Sequence, residues 1–207
     1  MRSVVTTRDS MKTYFTADVH FDHADFYEKL GRIRPFDMDE WNGLMLESIN
    51  TRAARADRLF ILGDFAWKRP GYWRQQIRCR HVTLIIGNHD KEAKCRNVFG
   101  GSMYNTRMVK KICGSARVFL SHYPHAHWPA SHHGSLHLYG HCHNQREACL
   151  DAVWPERRSM DVSPDTAFQL TGEWRPFEDT EIVERLMQRK GHDSMDHYRA
   201  FQEKLEF

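Results

Sequence analysis

The sequence predicts an α/β fold with parallel strand pairing, and three observations predict it. Short apolar runs rich in β-branched, aromatic or leucine residues recur along the chain. Stretches with helical spacing of apolar residues separate the first three of them. The resulting order, strand–helix–strand–helix–strand, is the pattern that packs helices onto a partly parallel sheet.

Taken in order, Thr13–Val19 is the first run, too short for a helix and bounded by polar residues. Met38–Ala56 follows as a helix, with Trp41, Leu44, Met45 and Ile49 on one stripe and Asp37 or Asp39 as its cap. Arg58–Leu62 is the second strand. Pro70–Ile77 reads as a shorter helix with proline near its start, where the missing N–H costs nothing. Val82–Ile86, Arg117–Leu120 and Leu136–Tyr139 are the remaining strands. Glu178–Arg189 places Ile182, Val183, Leu186 and Met187 at helical spacing, and Gly191 ends it. Asp193–Leu205 is expected to form a last helix.

A chain of 207 residues favours one domain over residues 1–207. Residues 1–11 are expected to be a flexible N-terminus, and residues 193–207 a helical appendage. Hydrophobic residues at 41% and charged residues at 28% exclude a disordered or collagen-like chain. No apolar run approaches the ~18 residues of a membrane span, so no membrane partner is expected. The first eleven residues lack the apolar centre of a signal peptide. Five cysteines, an odd number without framework spacing, fit a reducing, cytoplasmic setting. Thirty basic against twenty-seven acidic residues leave a net charge of +3. That total hides a segregation: residues 67–117 carry twelve lysines and arginines against two acidic residues, a local excess of +10. Such a segment is either a solvated basic face or the footprint of an anionic partner.

The residues just after each run carry the chemistry. The first run ends in Asp18-Val19-His20, the second in Gly63-Asp64, and the third in Gly87-Asn88-His89-Asp90. The fourth ends in Ser121-His122 and the fifth in Gly140-His141-Cys142-His143. Every run thus delivers Asp, Asn or His at its C-terminal end, the edge where sites gather in α/β sheets. If the segments stay extended, residues i and i+2 share a face. Asp18 with His20, and His141 with His143, then each present two ligands to one place, and Cys142 points away. Imidazole and carboxylate together suit Zn, Mn, Fe or Ni rather than Ca. The glycines before Asp64, Asn88 and His141 permit tight turns there.

These five elements, in this order, resemble the signature of the calcineurin-like metallophosphoesterase superfamily. The opening Phe15-Thr16-Ala17-Asp18-Val19-His20-Phe21 and the later Arg34-Pro35-Phe36 resemble its small bacterial and phage branch. The resemblance implies two mixed β-sheets packed face to face as a sandwich and flanked by helices, in four layers. It implies a hydrolase with two divalent metal ions, Mn favoured. Asp18, His20 and His143 would hold the first ion, and Asn88, His122 and His141 the second. Asp64 would bridge them, and His89 would be the acid beside them. Such a pair of ions lowers the pKa of a water held between them and clamps phosphoryl oxygens. Many relatives carry a second acidic residue shortly after Gly-Asp. Here Asp64 is followed by Phe65-Ala66-Trp67, which leaves His89 without a carboxylate partner in that stretch.

Substrate contacts are expected from His23, Arg34 and His125. His23 is either a phosphate contact or a cap for the helix that follows it. Arg34 suits a phosphate clamp or a surface position. His125, His127, His132, His133 and His137 form a histidine-rich stretch, expected as a loop near the site mouth. Trp67, Tyr72, Trp73 and Trp128 flank the motifs as packing residues or as platforms for a base. The partner is then a phosphate ester, with nucleotides and oligonucleotides among the candidates. Three functions follow: a phosphoesterase favouring diesters, a nuclease or nucleic-acid end-processing phosphatase, and a non-catalytic metal-binding scaffold. The sequence leaves the natural substrate and the oligomeric state open.

Overall fold

The computed structural model of the chain describes residues 11–24 and 34–191. The expected flexible N-terminus, apart from its last residue, and the helix over 193–205 lie outside them. Nine strands form two mixed sheets among the described residues. The first sheet has the order β4-β3-β2-β1-β9, with β1 (Thr13–Thr16), β2 (Arg58–Leu62), β3 (His81–Ile85) and β4 (Met103–Tyr104) parallel. Its other edge is β9 (Phe177–Glu178), antiparallel to β1. The second sheet has the order β5-β6-β7-β8. There β5 (Thr106–Ile112) runs antiparallel to β6 (Ala116–Ser121), while β6, β7 (Leu136–Tyr139) and β8 (Ser159–Asp161) are parallel.

Strand alternation builds the layers. In β2, Phe60 and Leu62 face the second sheet, where they join Phe15, Val118, Leu120, Leu136 and Leu138 in the inter-sheet core. Leu59 and Ile61 face the other way, onto Trp41, Met45 and Ile49 of α1 (Met38–Arg52). Asp37 caps α1: its carboxylate accepts from the backbone N–H groups of Asp39 and Glu40, each at 2.9 Å. The same face packs on Trp73 of α2 (Pro70–Gln76) and on Cys95 and Phe99 of α3 (Glu92–Phe99). The outer face of the second sheet meets Trp128 of the 123–135 segment and the helix α4 (Glu147–Val153). Ala167 of α5 (Pro164–Thr171) and Ile182 and Leu186 of α6 (Asp179–Met187) close the inter-sheet core at one side. The expected sandwich flanked by helices is therefore the observed architecture, and no described helix is long and apolar enough to cross a membrane.

Candidate metal centre

The two ligand pairs do not lie on strands. β1 ends at Thr16 and β7 at Tyr139, so Asp18, His20, His141 and His143 stand just beyond them. All four have left-handed backbone, with φ of 50°, 54°, 68° and 46°, and Asp64 joins them at 54°. Such conformations are costly for residues with a Cβ and gather where surrounding contacts enforce them. Here the enforcing contacts are visible. The loops after β1 and β2 run side by side, with the Asp18 N–H on the Gly63 carbonyl at 3.0 Å and the His20 N–H on the Asp64 carbonyl at 2.9 Å. The convergence expected from strand alternation thus occurs, but through paired turns.

Two glycines are required by this crowding. Gly63 has φ of +91°, and a Cβ there would lie 2.1 Å from Nδ1 of His122. A Cβ on Gly87 would lie 2.2 Å from Oδ1 of Asp64. The backbone thus approaches other ligand side chains as closely as it can.

The donors gather in two groups. Ligand atoms of Asp18, His20 and His143 lie within 4.8 Å of one another, and so do those of Asp18, Asp64 and His122. Asp18 belongs to both, a shared position the sequence reading gave to Asp64 alone. Asp64 nevertheless stands between the groups, with Oδ2 at 3.6 Å from Nε2 of His20 and at 3.6 Å from Nε2 of His122. Those separations exceed a hydrogen bond and are close to the ~3.4 Å between two donors on one tetrahedral ion. On the far side, Oδ1 of Asn88 lies 2.9 Å from Nε2 of His122 and 3.0 Å from Nδ1 of His141. All seven expected ligands are therefore neighbours. Asp18, His20, Asp64 and His122 are buried, whereas Asn88 and His141 are exposed, so the centre opens on that flank.

Three observations fit this set to a cation. Oδ1 of Asp18 is fully buried and has no hydrogen-bond partner, although Oδ2 accepts from the His141 N–H at 2.8 Å. Burial, then the carboxylates of Asp161 and Asp64, push Asp18 well above the usual carboxylate range. Burial also pushes His20, His122 and His141 below the usual imidazole range, which keeps them in the neutral form that binds metals. A buried carboxylate oxygen without a hydrogen-bond partner, among imidazole donors, could hold a cation.

The surrounding residues orient the donors. Nδ1 of His122 faces the Leu62 carbonyl at 2.8 Å, which directs Nε2 inward. Nδ1 of His143 faces Oδ2 of Asp165 at 2.8 Å in the same way. Oδ1 of Asp64 accepts from the His89 N–H at 2.8 Å, leaving Oδ2 for the centre. The carboxylate of Asp90 accepts from the N–H groups of Gly87, Asp64 and Phe65 at 2.8, 2.9 and 2.9 Å, tying the second loop to the third. Burial nonetheless raises Asp90 to about 6. Asp161, buried behind Asp18, accepts from the N–H groups of Ser163 and Asn144. Sequence reasoning gave no role to Asp90, Asp161 or Asp165. Asp90 lay inside a motif, but Asp161 closes a strand of only three residues, too short to read.

His89 is half-buried at the rim, its ring 5.4 Å from that of His20 and 5.0 Å from that of His23. Two expectations need correction, those for Arg34 and His137. Arg34 is neither a surface residue nor an outward phosphate clamp. It is buried, its Nε lies 2.8 Å from Oδ1 of Asp165, and its guanidinium covers the Trp41 ring at 4.0 Å. His23 faces inward, flat against Trp67 at 4.4 Å with Nδ1 at 3.1 Å from Nδ1 of His20, while the helix it was to cap lies outside the described residues. His137 is not in the loop but buried in β7, where burial pushes it down to about 3. His125 is exposed and lines a cavity of about 330 Å³ together with Asn88 and His122. Trp73 and Trp128 are buried packing residues, their indole N–H groups donating to Asp22 and to the Ser135 carbonyl. The Cys142 thiol, half-buried, is raised to about 11 by burial, which disfavours its thiolate form.

No family model matches the chain, and no curated protein does. Among solved structures, it is similar to AQ665, a protein of unknown function from Aquifex aeolicus, with a TM-score of 0.67 and 22% identity over 84% of this chain and 99% of that one. It also aligns with YfcE, a phosphoesterase from E. coli, with a TM-score of 0.41 and 19% identity over 74% of this chain and 79% of that one. The likeness to the Aquifex protein is one of fold: this chain folds as that protein does, along nearly its whole length.

Proposed function

We propose that the chain is a metal-dependent phosphoesterase of the calcineurin-like metallophosphoesterase type, with phosphodiesters as its favoured substrates. One observation carries the reading: Asp18, His20, Asp64, Asn88, His122, His141 and His143 converge from five separate segments on one rim, with His89 beside them. Two divalent cations, manganese favoured over Fe, Zn and Ni, supply Lewis acidity and a water of lowered pKa when bound. Asp18, His20 and His143 would hold one, and Asn88, His122 and His141 the other, with Asp64 between.

The chain's own residues do the rest. Asp165 and the Leu62 carbonyl fix the imidazoles of His143 and His122 in the ligand tautomer. The exposed flank at Asn88 and His141 admits the ester, and the cavity beside His125 receives one of its arms. His89 delivers a proton to the leaving oxygen as the P–O bond breaks. Its backbone N–H meanwhile keeps Asp64 turned toward the centre.

Manganese-loaded protein is expected to hydrolyse bis-p-nitrophenyl phosphate. His89→Ala retains both ions by elemental analysis and loses turnover by about 10²–10⁴-fold. Asp64→Asn loses both ions together. Inactivity with Mn, Ni, Fe and Zn alike would leave a metal-binding scaffold in place of an enzyme.

A further inference from the structure

We propose that the open edge of the sandwich carries a second site, a groove for the phosphate backbone of single-stranded nucleic acid. The groove is a cavity of about 600 Å³ between the β2–β3–β4 side of the first sheet and β5 of the second. Arg58, Arg80, His81, Arg107, Lys110 and Lys111 line it, and no acidic residue among those described does. Arg58 and His81 are the first residues of β2 and β3, at the strand ends opposite the metal rim. The groove is therefore a separate feature of the molecule and does not depend on the ion ligands.

Among the described residues, its cations lack carboxylate partners. Arg34, Arg69, Arg157, Arg175 and Arg189, elsewhere in the fold, are each paired with Asp or Glu. Within the groove, Arg58 donates to the Thr13 hydroxyl at 2.7 Å and reaches the Lys111 carbonyl at 3.5 Å, and no described carboxylate pairs with it. Arg80, Lys110 and Lys111 are exposed and form no ion pair among the described residues. Five permanent positive charges around one concavity, unpaired with any described carboxylate, raise the local concentration of anions. Four of them, all but Arg58, belong to the twelve cations of the basic stretch.

The volume and the aromatic content of the groove select the anion. A single phosphate would engage one end of a cavity this large, whereas a phosphodiester chain can meet cations on both walls. The Arg107 guanidinium lies 4.3 Å over the Tyr104 ring, and Tyr104 lines the same groove. Such a plane accepts a stacked base, which an acidic peptide cannot offer. One stretch of chain also contributes to both the groove and the metal-side cavity. Tyr104 and Arg107 line the groove, while Asn105 and Thr106, between them in the chain, line the cavity that holds Asn88 and His122. A strand lying in the groove would thus pass toward the rim, which would make nucleic acid the substrate class if the proposed hydrolysis holds.

The test is fluorescence anisotropy of a labelled oligothymidylate on the full chain in chelator, beside metal-loaded hydrolysis of bis-p-nitrophenyl phosphate. Binding is expected to weaken steeply with salt, by a log–log slope of about 0.7 per phosphate neutralised. Lys110→Gln with Lys111→Gln lowers that slope by about 1.4 and weakens binding about tenfold, with the small-ester activity unchanged. Arg107→Gln, read in parallel, weakens binding without a change in the thermal melt. No binding by the wild type, equal binding by the variants, or equally tight binding of heparin or polyglutamate would each overturn the groove. Binding that depends on these residues in a protein that hydrolyses no ester would uphold the groove and sink the phosphoesterase. Intact hydrolysis without binding would do the reverse.

Discussion

Asp165 is where the imidazole of His143 is held. One carboxylate faces His143 Nδ1 and pairs with Arg34, and Asp165 and Arg34 are both buried. Burial opposes ionisation of Asp165, but Arg34 and His143 prevail and hold it well below the usual carboxylate range. Asp165→Asn is expected to weaken metal binding by about 10–100-fold, read by competition with a chelating dye. It should also destabilise the fold by about 3 kcal/mol, because it strips the carboxylate charge from a buried guanidinium. Unchanged metal affinity would mean that His143 is positioned by something else. This residue shows the limit of the sequence at this scale. The ligands were legible because Asp-x-His, Gly-Asp, Gly-Asn-His-Asp and Gly-His-x-His keep their donors within a few positions of one another. Asp165 lies 22 residues from His143 and 131 from Arg34, and only the folded chain brings the three together.

At the scale of elements, the work is done by turns. The strands stop short of the ligands, and left-handed residues after β1, β2 and β7 carry the donors inward. Gly87, after β3, is as crowded as these joints, since Asp64 occupies the space a side chain would need. Gly87→Ala is expected to displace Asp64 and cost ion occupancy and hydrolysis together, with a lower thermal midpoint. A variant with full occupancy and native melting would show that the third loop can yield. The sequence placed β2 and β7 to the residue, because their apolar runs are bounded by polar neighbours. It missed β5, whose Thr106–Ile112 run alternates with Arg107, Lys110 and Lys111 and so reads as surface. It also missed β4, β8 and β9, of two or three residues each, which exist only by pairing with neighbours distant in the chain.

For the whole molecule, His137 ties stability to pH. Its ring is buried between the second sheet and Trp128, with Nδ1 facing the Phe119 carbonyl at 3.1 Å and Nε2 accepting the His125 N–H. Burial pushes it down to about 3, while an unfolded imidazole titrates near ~6.5. As pH falls between those values, the unfolded chain takes up a proton that the folded chain refuses. The contribution is therefore complete above about pH 6.5 and fades toward pH 3, with about 2 kcal/mol lost at pH 5. Urea midpoints at neutral and acid pH should show a smaller drop for His137→Gln than for the wild type. An identical drop in both would place the titrating group elsewhere.

Along most of their contact, the two sheets meet through hydrocarbon, which tolerates small sliding. At the rim they meet otherwise: Asp18, His20, Asp64 and Asn88 follow strands of the first sheet, and His122, His141 and His143 follow strands of the second. A cation bound there as proposed would be gripped from both sides, a rivet through the laminate. Loading and shear resistance would then become one property, and stripping such ions would loosen one sheet from the other before it frayed either.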